Sequence, residues 1–207
     1  MKDNFSLRRL TIIGILGALS AILMFINFPL PFVPPFYRFD AAELPALFGG
    51  FFLGPSAGVL VISLKLLVKL LIQGSDTLLV GELANFMANV AFVLPAALIY
   101  QRYKTKPSAM WGMTVGTLTS SLFSVFGNAY IAIPLFAAVY GWPVETIIRM
   151  GTAVNPYITD MTTMMLWAVL PFNLIKCAFT SVVMLLIYKK AAAALRSYTD
   201  GKLSRFL

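Results

Sequence analysis

Apolar residues run through this chain in long blocks, separated by prolines, glycines and short polar clusters. The first block covers 8–28. It is stopped by "NFPLPFVPPF" (Asn27 to Phe36), whose four prolines do not continue a helix, so an ordered loop is expected. A short helix at 43–53 ends at "LGPSAG", where Pro55 suits the first turn of a third helix at 55–73. "GSDT" (Gly74 to Thr77) reads as a turn, 79–100 as a fourth helix, "QRYKTKP" as a polar loop and 109–134 as a fifth helix. From Phe136 to Asp160 the pattern is broken by "GWP" and "NPY". A last helix covers 161–188, with Pro171 marking either a kink or a separate short segment. Several blocks reach the roughly 20 residues a bilayer crossing takes. The pattern predicts an all-α integral membrane protein: one domain over 1–207, six transmembrane helices in a single bundle, and ordered outer loops.

Composition agrees. The 207 residues are 59% hydrophobic and 12% charged, with a mean hydropathy of +0.85, where a soluble domain carries about a quarter charged residues. The first block is too long for a signal peptide and lacks a small-residue cleavage pattern, so it is expected to stay as a membrane helix. One cysteine, Cys177, makes no disulfide within the chain, and the absence of His removes the commonest metal ligand and general base. There is no G-x-x-x-x-G-K-[ST] loop, no G-x-S-x-G and no Cys/His metal spacing. Neither a metal nor a cofactor is expected, and no enzyme activity.

Charge gives an orientation. Basic residues cluster at Lys2, Arg8 and Arg9, at Arg102, Lys104 and Lys106, and at Lys189, Lys190, Arg196, Lys202 and Arg205. Six crossings put all three clusters on one side, which the positive-inside rule makes cytoplasmic, so both termini are expected inside the cell membrane. The opposite loops carry Asp40, Glu43, Asp76, Glu145 and Asp160. The net charge of +8 is thus a matter of topology. No basic patch interleaved with aromatics stands ready to stack bases, so no nucleic-acid partner is expected. No internal repeat of the inverted-transporter kind is evident.

Polar residues inside the apolar blocks are the candidates for chemistry. Asn173 and Lys176 sit three apart in "LPFNLIKCAFTS" and share a helix face. Counting back from the inner end at 1.5 Å per residue puts Lys176 about 20 Å deep, in the outer half of the membrane. A lysine facing lipid there costs roughly 3 kcal/mol or more, so it should face the bundle interior or an outward cavity. The plainer reading is that it snorkels or satisfies a loose helix end near Pro171. Helix four carries Glu82, Asn85 and Asn89 at spacings of three and four, with Lys65 or Lys69 of helix three as possible partners for Glu82. That stripe serves either a ligand or inter-helix hydrogen bonding. Asn128, near the outer end of helix five, is open to the same two readings. Asn128, Asn173 and Lys176 share a depth, and the outer loops beside them carry Phe32, Phe36, Tyr37, Tyr140 and Trp142. Amides and an ammonium framed by aromatics suit a flat heteroaromatic ligand with a carbonyl–NH–carbonyl edge. Phe36, Tyr37, Asp40 and Trp142 of the loops, with Glu82 and Asn85, complete the candidate set. On helix one, Gly14, Gly17, Ala18 and Ala21 form a small-residue face that admits another helix closely, either within the bundle or from a partner subunit.

Four stretches carry a family resemblance: "FDAAELPALFGGFFLGPSAGVLV" (Phe39 to Val61), "GELANFMANV" (Gly81 to Val90), "GNAYIAIPLF" (Gly127 to Phe136) and "LPFNLIK" (Leu170 to Lys176). The chain resembles the substrate-binding S components of energy-coupling factor (ECF) vitamin transporters, specifically the riboflavin type. The resemblance implies six helices and an outward site closed by the first and last outer loops. It implies flavin-ring contacts at Asn128, Asn173 and Lys176, with riboflavin as cargo and not cofactor. It also implies docking through helix one onto a membrane T component that carries two ATPase subunits, in keeping with the missing phosphate-binding loop. Two departures stand out. The family's Ala-xxx-Ala on helix one is Gly-xxx-Ala here, and Cys177 follows Lys176 where glycine is expected.

Rival readings are an S component for another vitamin, a small intramembrane enzyme, and a purely structural membrane protein. The absence of His argues against the nickel and cobalt types, and "LPFNLIK" favours flavin. An enzyme needs a paired acid/base or metal set, and Glu82 is the one acid nominated at membrane depth.

Overall fold

The computed structural model describes residues 7–75 and 77–199, with 191–199 described by backbone alone. Lys2, Asp76, Lys202 and Arg205, and the side chain of Arg196, therefore lie outside the described residues.

Helix α1 (Leu7–Phe25) ends earlier than its apolar block. The cause is Asn27, whose Nδ2 donates to the Met24 carbonyl at 2.7 Å and satisfies a helix-end acceptor. The proline-rich loop that follows is ordered, as expected. It closes on itself through a two-residue antiparallel pairing of β1 (Phe28–Pro29) with β2 (Arg38–Phe39). Arg38 donates to Asn27 Oδ1 at 3.1 Å. The Phe39 ring packs on Phe28 and on Phe179 of the last helix, at centroid distances of 5.4 and 5.3 Å.

Helices α2 (Glu43–Leu53) and α3 (Pro55–Gln73) meet at Gly54, with Pro55 in the first turn. The α3–α4 turn leads into α4 (Val80–Tyr103), and a Thr105–Ser108 capping box starts α5 (Lys106–Gly127). Gly116 of α5 lies against α4 so closely that a Cβ there would collide with the Phe92 carbonyl. The fifth helix does not stop near residue 134. It continues through a π-helical turn (Asn128–Ala132) into α6 (Ile133–Tyr140). The broken stretch beyond holds a further helix that the apolar pattern hides, α7 (Val144–Thr152). The final segment is α8 (Met161–Met164), a second π turn (Met165–Val169) and α9 (Leu170–Thr199). Pro171 thus neither ends the helix nor separates a segment. Pro134 and Pro171 each follow a π turn that contains the residue four positions back. A proline ring clashes with that carbonyl in a regular helix, and the widened turn relieves the clash.

The chain is helical and built for a membrane: five helical stretches, Leu7–Phe25, Pro55–Gln73, Val80–Tyr103, Lys106–Tyr140 and Met161–Lys190, are long and apolar enough to cross one. The expected second span, α2, has 11 residues, about 16 Å at helical rise. Two cores hold the described residues. One joins α1–α5 and α9 around Ile13, Leu47, Phe51, Ile62, Phe92 and Met184. The other seats the first loop, through Val33 and Phe39, on Ile133, Ile147, Ile158 and Phe172. The two longest connections therefore pack on one another over the ends of α5 and α9, where the candidate polar residues lie.

Candidate functional site

Three segments converge there: the first loop, the α5 π turn and the start of α9. Asn128 opens the π turn. Its Nδ2 donates to the Ser124 carbonyl at 2.8 Å, and its Oδ1 accepts from the Tyr37 hydroxyl at 2.8 Å. Tyr37 in turn packs on Phe172 and Phe36, at 5.5 and 4.7 Å between centroids. Ser124, one turn below Asn128, donates to Asn173 Oδ1 at 3.1 Å, and Asn173 Nδ2 donates to the Val169 carbonyl at 2.8 Å. Both amides and the Tyr37 hydroxyl are thus joined through one serine. Ser124 was not singled out in the sequence, because a serine in a membrane helix usually bonds back to its own helix.

One turn below Asn173, Lys176 is buried, and it is not alone. Its ammonium donates to Asp40 Oδ2 at 3.1 Å and lies 3.2 Å from Glu43 Oε1. Asp40 also accepts from the Ala42 N–H at 2.9 Å. Glu43 Oε1 accepts from Lys65 Nζ at 3.1 Å. Two lysines and two carboxylates, none more than 8% exposed at the side chain, form a neutral buried quartet. Breaking such a set by removing one partner leaves an uncompensated charge, at a cost of about 3–5 kcal/mol. Snorkelling does not describe Lys176. Glu43 and Lys65 were legible only as an outer acid and as a possible partner of Glu82.

Lys65 does not pair with Glu82; Lys69 does. Glu82 also accepts from Ser75 Oγ and Thr77 Oγ1, each at 2.8 Å, so it ties down the α3–α4 turn. Asn85 accepts from Asn89 at 2.7 Å. Neither Glu82 nor Asn85 hydrogen-bonds the Asn128–Asn173–Lys176 set. Trp142 packs on Tyr140 and Phe136, at 5.5 and 6.1 Å, and is part of a half-exposed aromatic group on the last loop. Phe36 is likewise exposed. A groove of ≈ 150 Å³ runs beside Asn128 and Ser124 between α4 and the α5 π turn, lined otherwise by apolar residues such as Leu83, Met87, Phe123 and Ile131.

The four small residues of α1 lie on one side of the helix but are not equally covered. Gly17 and Ala21 are buried, and a Cβ at Gly17 would come within 2.8 Å of Leu64 Cβ on α3. Gly14 and Ala18 are exposed, with open space around Gly14. Internal packing of helix one is thus seen at Gly17, against α3, while Gly14 and Ala18 are left uncovered.

Residues 8–188 match the sequence family described as ECF transporter, substrate-specific component. The chain belongs to this family. The riboflavin transporter RibU of Staphylococcus aureus (strain TCH60) is 30% identical over 95% of both chains. The riboflavin transporter FmnP of Bacillus subtilis (strain 168) is 28% identical over 88% of this chain and 91% of its own. A solved S component of a bacterial ECF transporter superposes with a TM-score of 0.70 at 31% identity, over 91% of this chain and 97% of that one. As a substrate-specific component, the chain is the substrate-binding subunit of a multi-pass membrane transporter and not an enzyme.

Proposed function

We propose that the chain captures riboflavin at the outer face of the cell membrane and hands it to a T component driven by two ATPase subunits. The observation that carries this reading is the hydrogen-bonded line Tyr37–Asn128–Ser124–Asn173, half-buried at Tyr37 and Asn128 and buried at Ser124 and Asn173, with the Lys176 ammonium one turn below it. Amides that both donate and accept, beside a cation, match the carbonyl–NH–carbonyl edge of a flavin. The riboflavin-transporter relatives point to the same ligand. Asn128, Asn173 and Lys176 contact the ring, and Tyr37 and Asp40 hold them from the first loop. Phe36 and Trp142 form an aromatic rim. Glu82 and Asn85 act from α4, by fixing the turn and the helix beside the groove.

In this reading α2 and the first loop together make the sixth crossing, so both termini are cytoplasmic, as the positive-inside rule requires. The exposed Gly14–Ala18 pair of α1 is the docking face for the T component.

Purification from cells supplied with riboflavin tests the ligand. The parent chain should carry a flavin absorption band that riboflavin exchanges and that thiamine or pantothenate leaves in place. A colourless protein that takes up no riboflavin would contradict the assignment.

A further inference from the structure

Lys176 has three N–H donors. Two face Asp40 Oδ2 and Glu43 Oε1, at 3.1 and 3.2 Å, which leaves one for a ligand. How firmly the ammonium is held therefore depends on how strongly Glu43 pulls on it. Glu43 is fixed at the start of α2 and is 2% exposed. Its Oε1 is shared between Lys176 and Lys65, while Oε2, equally buried, accepts nothing among the described residues. Lys65, fully buried on α3, has Glu43 as its ion-pair partner. No part of the Asn128–Asn173 line hydrogen-bonds it.

We infer that Lys65 is a positioning residue for substrate binding: by neutralising Glu43 it keeps the Lys176 ammonium available to the ligand. The inference rests on the reading of Lys176 as a ligand contact. With Lys65 present, the quartet is neutral and Glu43 divides its charge between two cations. Without Lys65, the cluster carries a net negative charge in a low-dielectric interior, where Coulomb attraction is strong. Lys176 then answers two carboxylates by itself, and the spare Glu43 oxygen competes for its third N–H. A ligand carbonyl must displace that pull. Neutralising Glu43 as well removes the surplus charge and releases Lys176.

The test is riboflavin titration of the purified full chain by flavin-fluorescence quenching, with a thermal melt of each variant. Lys65→Met should weaken binding about tenfold, the size of one charge-assisted hydrogen bond. Adding Glu43→Gln to Lys65→Met should recover most of that loss. A mere packing role for Lys65 makes the opposite demand: the double variant, with two native groups altered, binds no better than Lys65→Met. The inference is overturned if folded Lys65→Met binds within about twofold of the parent, or if the double variant shows no recovery. Should Lys65→Met fail to fold, the double variant decides: it keeps the Lys176–Asp40 pair and a balanced charge, so it should bind within about threefold of the parent, and a tenfold loss there overturns the inference. Lys176→Met separates the two levels. If it binds like the parent, the Lys176 contact itself is wrong; if it binds poorly while Lys65→Met is unchanged, only the positioning role falls.

Discussion

A lysine in a helix that crosses hydrocarbon costs roughly 3 kcal/mol or more unless it is paired. Lys176 is paired twice, and on this account its third donor meets the flavin. A hydrogen bond to a charged group is worth about 1.5–3 kcal/mol and one between neutral groups about 0.5–1.5, so Lys176→Met should cost about 10- to 100-fold in riboflavin affinity and Asn173→Ala somewhat less. Asn128→Ala should also weaken binding and in addition release Tyr37 of the first loop, since the two side chains hold one another. A fluorescence-quenching titration beside a thermal melt checks all three; unchanged affinity in Lys176→Met would make the lysine purely structural. At this scale the sequence was half legible. Asn173 and Lys176 stand out because polar groups inside an apolar run need a reason. Asp40 was already a candidate, but its pairing with Lys176 was not legible, nor was that of Glu43 with Lys65. Glu43 and Lys65 are 22 positions apart in sequence and Asp40 and Lys176 are 136 apart, and the register of one helix against another is not written in either helix alone.

Helix one shows what periodicity gives and what it withholds. The spacings of its small residues predict close helix contact, and α3 does approach at Gly17. Which of them are covered depends on where along α1 its neighbours approach, as α3 does through Leu64 at Gly17. The two pairs should respond differently to bulk. Ala18→Trp should leave folding and riboflavin binding intact and abolish uptake, because it fills an exposed face. Ala21→Trp should lower the melting temperature and binding together, because Ala21 is 1% exposed and leaves no room for an indole. Vesicle uptake measured beside detergent binding distinguishes them; uptake surviving in Ala18→Trp would remove α1 from the docking face. The π turns before Pro134 and Pro171 were hidden for another reason. Proline in a helical pattern announces a break, but the widened turn lets the helix carry on. It also keeps Asn173 bonded to a carbonyl of the second π turn. Helix α7 escaped because it is short and amphipathic, lying between two breakers.

Across the whole molecule, the membrane class was the plainest reading, since five long apolar helices follow directly from the hydropathy blocks. Orientation belongs to the same scale. Leu78, 60% exposed in the α3–α4 turn, should be reached from outside when replaced by cysteine, and Arg102→Cys from inside; the native Cys177 is buried and does not compete. The reverse labelling would place the site on the wrong face for uptake. The account as a whole stands on the ligand. Equilibrium titration of the purified parent chain with riboflavin, read by flavin-fluorescence quenching, tests it most directly. One riboflavin should bind per chain, with saturating quenching. Quenching that does not saturate, or a chain that leaves riboflavin fluorescence unchanged, would contradict it.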